Sequence, residues 1–477
     1  MMIQPLYKTC AANEKLAIRL IGYFCCLQRG LPQIYYSRNG CEHMCNKVVF
    51  NVKDFYAVGD GITYDTDEIQ NAIDAASRNN GKVFFPSGTY LIGTIYLKSN
   101  IKIELSDQAV LIGATDIQYY GNDTHYNRYD NETFLDKCLI YAEDCENITI
   151  TGGTIDGNGS YFYEKGKKDV VHPMLFRFLR CQNIRVEGIQ INMPAGWSMA
   201  FLECDFVWAN KVKIISRHLN GDGLDFDSCR NVFVSECYLD TSDDCLCIQN
   251  SVSKRPSYNI TVRSCVMKSY WAAIRIGLLN NGDIENVIIS DCIFEDVACS
   301  GFKIQATECG SIRNIIMNNI IMRNVSRPIF VTSNFCQMGK FKLDNKDGSK
   351  GINGLRFNNI YIDNSNLQNC EGTEGLFIVG TPERRIKNIG LVNLYLISPG
   401  RAVAENIPSE LGENRPEYYN IGNNPASGLF IRHLDELYME KVEIQSLTED
   451  AREQIVMDDV KNVKGEFSCI EICEDTD

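Results

Sequence analysis

The residues best placed to do chemistry lie between Asn220 and Asn250, in NGDGLDFDSCRNVFVSECYLDTSDDCLCIQN. An isolated acid, Asp222, sits in an Asn-Gly-Asp-Gly turn. An acidic pair, Asp243 and Asp244, follows after the short apolar strand pattern Val232-Phe233-Val234. If one turn of a coiled sheet takes roughly 20–30 residues, the two acidic spots fall on adjacent coils. Strands in neighbouring coils lie about 4.8 Å apart. Three carboxylates within one or two such steps suit glycoside hydrolysis, in which one acid protonates the leaving oxygen and another group activates water. Taken singly, each Asp reads as turn chemistry, since Asp-Gly and Ser-Asp-Asp are common turn sequences. The three together, at coil spacing, favour a site.

A repeated strand must position these acids. Asn followed by alternating β-branched residues recurs at Asn147, Asn183, Asn210, Asn231, Asn259, Asn286 and Asn314, with later copies at Asn358-Asn359 and Asn388. A recurring strand at one-coil period, with short turns and hardly any helical pattern, predicts an all-β fold: a single-stranded right-handed parallel β-helix. Asn suits the turns because it tolerates the left-handed conformation, and its amide can bond to the same residue in the next coil. The entry segment from Val48 reads as strand, Gly-rich turn and helix. Asp65-Thr66-Asp67 offers an N-cap, and Ile69, Ile73 and Ala76 share one helical face. That helix is expected to cap the open end of the stack, whose bare edge would invite aggregation. Residues 1–45 read as an N-terminal extension and 46–477 as the β-helix domain. The stretch Gly339–Gly354 reads as an exposed loop, and the tail beyond Pro408 as a last strand near Glu436–Ile444 with an acidic end.

The chain of 477 residues carries a formal net charge of −14 and is 44% apolar. No basic cluster marks a nucleic-acid surface. No apolar run of about 18 residues would span a membrane. The apolar patch Leu20 to Leu27 lies late, follows Lys15 and Arg19 and lacks a small-residue cleavage site, so the expectation is no secretory signal and a cytoplasmic location. Twenty-one cysteines is a high, odd number. Cys237, Cys265 and Cys292 occupy the same place in successive units, which favours stacked free thiols inside the coils over disulfides. Cys41 and Cys45 have metal-like spacing without a matching second pair.

On these motifs the segment from about Val48 to about Asn334 resembles glycoside hydrolase family 28, the polygalacturonase family, of pectin-lyase-like solenoid fold. Members carry Asn-Thr-Asp, Asp-Asp, Gly-His and Arg-Ile-Lys. Asn220-Gly221-Asp222 matches the first motif with Gly for Thr, and Asp243-Asp244 matches the second. The resemblance implies Asp243 as general acid, with Asp222 and Asp244 holding the attacking water. It further implies inversion of configuration, no metal and no cofactor, and an oligo- or polysaccharide as partner. The other motifs depart: Gly-His falls at Tyr270-Trp271, and Arg-Ile-Lys at Lys303-Ile304-Gln305. One cation survives as Lys303, Gln305 is a neutral amide, and a new cation, Arg275, appears. Trp271 and Arg275 fall on one face of a strand, where Trp suits a sugar face and Arg a carboxylate. With Asn220 and with His218 at the groove edge, these residues form the expected substrate-binding set. Weakened galacturonate readout leaves a rhamnogalacturonan, modified-uronate or neutral-sugar linkage open, including attack from a chain end. A calcium-dependent lyase and a non-catalytic glycan-binding β-helix are the other two classes open to this fold.

Overall fold

The computed structural model describes residues 48–124, 135–164, 171–252, 254–336, 347–368, 373–408 and 423–470. The chain divides into units Met1–Asn46 and Lys47–Asp477. The extension, its apolar patch and the Cys41/Cys45 pair lie outside the described residues, as does the first half of the Gly339–Gly354 loop.

From Val49 onward the chain winds into a right-handed parallel β-helix, and every strand pairing is parallel. Each coil has three legs. Around the acidic stretch they are Leu224–Asp227, Arg230–Ser235 and Tyr238–Thr241, which pair forward with Leu246–Asn250, Ser257–Arg263 and Val266–Ser269. Inward residues stack on their equivalents in the next coil. Phe178, Phe201 and Phe226 stand in register with ring centroids 5.0 and 5.1 Å apart, and Ile248, Ile276 and Ile304 continue the column. This face excludes water along the solenoid and supplies its main apolar burial.

The helix Thr66–Arg78 caps the entry end and buries Ile69, Ala72, Ile73 and Ala76. The expected side-chain cap is absent. Asp65 instead turns its carboxylate back onto the amides of Val58 and Gly59, while Thr66 Oγ1 accepts from Gly93 N at 2.9 Å. A loop with two free N–H groups competes successfully with the helix for this acceptor.

The Asn ladder forms, with one exchange of place. Asn147, Asn183, Asn231, Asn259, Asn286 and Asn314 all have φ between 54° and 58°, and their side-chain amides link coil to coil. Asn210 is not part of it. The ladder position in that coil is Phe206 (φ 56°), and Asn210 lies four residues on, bonded to Ser235. Asn359 belongs to a second ladder, between Asn319 and Asn393, while Asn388 returns to the first. The last strand begins earlier than expected, at Ala426–Ser446, and a further strand, Glu453–Ile470, follows it.

Thirteen described cysteines are free thiols. Cys237, Cys265 and Cys292 stack as expected, each thiol donating to the carbonyl two residues before it. Cys145, Cys181, Cys204 and Cys229 form a second column with the same bond, just ahead of the second leg. Cysteine suits such corners because it is small enough to stack and its S–H offers a weak donor to a nearby carbonyl.

Candidate active site

The site is built on the first leg of successive coils. Leu224 pairs with Leu246, so Asp222 and Asp244, each two residues earlier, occupy equivalent steps of adjacent coils. Gly223 N donates to Asp244 O at 2.9 Å and fixes that register. One carboxylate oxygen each from Asp222, Asp243 and Asp244 lie within 4.8 Å of one another. The expected triad is therefore brought together. The departure at Gly221 has a steric cause: a Cβ there would lie 2.0 Å from Ser216 Oγ and 2.5 Å from Ser242 Oγ. This turn is too tight for a Thr at its centre.

Asp243 is clamped through its backbone. Its carbonyl accepts from Thr241 Oγ1 and from Ser269 Oγ of the next coil, both at 2.6 Å, and its own Oδ1 accepts from Asp244 N at 3.0 Å. Burial, then the neighbouring Asp244 charge, push the Asp243 carboxyl up to about 7. Like charges this close cannot both ionise cheaply.

Asp244 is paired with Arg275 Nε, and both side chains are buried. Arg275, expected in the substrate-binding set, is engaged with a carboxylate of the triad. The register explains this. Arg275 stands one coil above Cys247, whose own coil carries Asp244 three residues earlier, and burial forces both charges to pair.

Lys303 stands one coil further along the same row. Its ammonium lies 4.1 Å from the Trp271 ring centroid, 5.8 Å from that of Phe330 and 3.7 Å from Cys299 Sγ. Burial holds Lys303 down to about 8. Trp271, expected to share a groove with Arg275, has the Lys303 ammonium over its ring.

Gln305 follows two residues later on the same face, fully buried, with Nε2 3.5 Å from Thr332 Oγ1. Asn220 is half-buried at the turn, with φ 54°. His218 is half-buried, four residues before Asp222. Its ring stacks on Tyr163 of the short helix Ser160–Glu164 at 4.5 Å, and Ser160 Oγ is 3.3 Å from its Nε2. Its link to the site is through the backbone, where its carbonyl accepts from Ser242 Oγ.

Sequence reasoning missed Asp225, Asp227 and Cys299. Asp225 is buried in the same row as Cys247, Arg275 and Lys303. Asp227 accepts from Ser251 N and Oγ and from Ser228 Oγ, which marks it as a joint between coils. The alternation Asp225-Phe226-Asp227 held the signal, since residues two apart share a strand face.

The fold and the site together define a glycoside hydrolase. The profile described as "Glycosyl hydrolases family 28" matches residues 78–373, more than half of the chain. A probable polygalacturonase of Vitis vinifera is 24% identical over 371 residues, covering 71% of this chain and 73% of that protein. An exo-poly-alpha-D-galacturonosidase of Dickeya chrysanthemi is 24% identical over 344 residues, covering 60% of this chain and 57% of that protein. Among solved structures, the family 28 exopolygalacturonase of Yersinia enterocolitica superposes with a TM-score of 0.70 at 22% identity, over 88% of this chain and 79% of that one. The polygalacturonase-like resemblance read from the sequence is borne out: the chain belongs to glycosyl hydrolases family 28.

Proposed function

We propose that this glycoside hydrolase cleaves a pectin-type linkage, in a galacturonan or rhamnogalacturonan oligosaccharide, without a metal ion. The observation that carries the reading is the cluster of three carboxylates in which Asp243 holds its proton to about 7 while Arg275 neutralises Asp244. Asp243 donates its proton to the leaving glycosidic oxygen. Asp222 and Asp244 orient the attacking water and take its proton. Lys303, beside Trp271, is the cation for a uronate carboxylate, and the indole supports the sugar face. The names of the relatives support a galacturonate-containing substrate.

Attack by water from the face opposite the leaving group inverts the anomeric centre, as the resemblance implies. The closeness of the three acids, one oxygen of each within 4.8 Å of the others, also admits a second course. In the retaining course one carboxylate of the cluster attacks carbon directly. Asp244 is a poor nucleophile for this because its charge is already bound to Arg275.

Proton NMR of the first products, with chelator present, tests the proposal. Galacturonan and rhamnogalacturonan oligosaccharides and a neutral galactan serve as substrates. The reading expects an acidic oligosaccharide to be cut with the new reducing end of opposite anomeric configuration. A retained anomer selects the second course. An unsaturated uronate formed only with calcium overturns hydrolysis.

A further inference from the structure

The segment that leads into Asp222 is tied at both ends by the repeat. Ser216 N donates to Asp240 O, Ser198 N to Asp222 O and Gly223 N to Asp244 O, each at 2.9 Å. Between these bonds lie the carbonyls of His218 and Leu219. The first accepts from Ser242 Oγ, the residue before Asp243. The second accepts from Tyr163 OH at 2.7 Å. Leu219 is 68% exposed and Asn220 adopts a φ of 54°, so the segment has little apolar packing of its own. Such a stretch rests where its hydrogen bonds hold it.

Tyr163 reaches the turn from the helix Ser160–Glu164, which follows the strand Thr154–Asp156. The approach to that helix is bound to the next coil: Gly157 N donates to Asn192 O and Gly159 N to Met193 O, at 2.9 and 2.8 Å. A Cβ at Gly159 would lie 2.6 Å from the carbonyl oxygens of Met193 and Pro194 and 2.8 Å from His218 Cδ2. The helix comes this close to His218 because Gly159 has no side chain. Phe162 is buried, with its ring 6.3 Å from that of Tyr120. One aromatic of the helix thus anchors in the core, and the next one meets the turn.

The Tyr163 hydroxyl also lies 2.9 Å from Ala195 O, so its one hydrogen is shared between carbonyls of two successive coils. Ala195 precedes Ser198, and Leu219 precedes Asp222, by the same three residues. The phenol therefore bridges the two turns that meet at the bond from Ser198 N to Asp222 O. Its ring stacks on His218, and Ser160 Oγ lies 3.3 Å from the His218 Nε2. Burial pushes the phenol up and the imidazole down, so both rings are uncharged at neutral pH and the phenol keeps the hydrogen that makes the tie.

We infer that Tyr163 is a positioning residue of the hydrolase: its hydroxyl holds the Leu219 carbonyl, and with it the turn that sets Asp222 against Asp244 and the attacking water. Its action is through Asp222, and no bond of the reaction passes through it. The inference rests on the hydrolase reading above and adds what fixes one of the water-holding acids. A displacement of about 1 Å at a reacting group can cost about 10²-fold in rate, so a single carbonyl tie is enough to matter.

The test compares the full-length wild type with Tyr163→Phe, which removes the oxygen and keeps the ring on His218. Hydrogen exchange is read over residues 217–223 and, beside them, over the strand Leu224–Asp227. Exchange over 217–223 is expected to quicken about tenfold or more, with the strand unchanged. On an oligogalacturonate, kcat per folded molecule is expected to fall roughly 10- to 100-fold while KM stays within about twofold. Water is needed whatever group leaves, so an aryl galacturonide should lose as much. Unchanged exchange overturns the tie, and equal quickening in turn and strand overturns it as mere loosening of the fold. A kcat within about twofold of wild type, a change confined to KM, or a loss confined to the oligosaccharide overturns the positioning of Asp222. A wild-type protein that cuts neither substrate counts against the hydrolase reading instead, and the exchange measurement then decides the tie by itself.

Discussion

The two faces of the same strands behave in opposite ways. Inward, Phe178, Phe201 and Phe226 repeat one residue type in register, and Ile248, Ile276 and Ile304 continue with another. Outward, at the neighbouring positions, the chain reads Arg177, Ala200, Asp225, Cys247, Arg275 and Lys303, with no residue type used twice in succession. The backbone imposes one spacing on both. Rings, thiols and amides gain from meeting their own kind at that spacing, because they stack or bond to one another. Carboxylates do not. Asp222 and Asp244 at equivalent steps repel, and the cluster is tolerable because Asp243 holds a proton and Arg275 sits on Asp244. Where the repeat serves stability it repeats; where it breaks, the residues face chemistry.

The comparison is broken most severely on its inward side. Phe226→Ala should cost about 3–5 kcal/mol of stability by opening a cavity between stacked rings, read as a lowered denaturation midpoint. The fraction still folded should keep near-normal kcat, since the outward row is untouched. A large loss of kcat in folded protein would show that the two faces are not separable.

Arg275→Leu attacks the outward side. Breaking a buried pair leaves Asp244 uncompensated, at a cost of about 3–5 kcal/mol. The readout that separates this from simple destabilisation is the pH profile. Arg275 holds the Asp243 carboxyl down, so its loss should move the alkaline limb of kcat/KM upward from about 7. A limb that stays in place would mean the arginine does not act on the acid.

Lys303→Met sharpens the account further. Loss of one charged contact worth about 1.5–3 kcal/mol should raise KM for uronate substrates roughly 10- to 100-fold. Hydrolysis of a neutral-sugar analogue should change little. Equal losses on both would remove Lys303 from carboxylate recognition.

The mildest perturbation is a single proton. In the wild-type protein the acid is protonated, and competent, below its pKa. The kcat/KM value should therefore fall as pH rises through about 7, by about tenfold per unit beyond it. Unchanged kcat/KM well above that pH would mean that no such acid is needed.

The repeat made the fold legible, because each coil reuses one strand and one corner residue. The exceptions were not: Phe206 in the place of an Asn can be seen only when neighbouring coils are in contact, and Asp65 turns from its helix onto the amides of the preceding loop. In the site, Asp222, Asp243 and Asp244 were legible because a spacing of one coil in sequence is contact in space. Arg275 was legible as a groove residue but not as the partner of Asp244. That pairing depends on which buried charge lies nearest, a three-dimensional fact. His218 read as a groove-edge residue; the stacking of its ring on Tyr163, from a helix far away in sequence, was not legible.

The central claim is that Asp243 gives its proton to the leaving oxygen. The most direct test compares the wild-type protein with Asp243→Asn on two substrates: a natural oligosaccharide, whose leaving alkoxide needs a proton, and an aryl glycoside of the same sugar, whose phenolate leaves without one. The account predicts that turnover of the natural substrate falls by roughly 10²–10⁴ while the aryl glycoside loses far less. An equal fall on both would contradict it, and would place Asp243 with the attacking water instead.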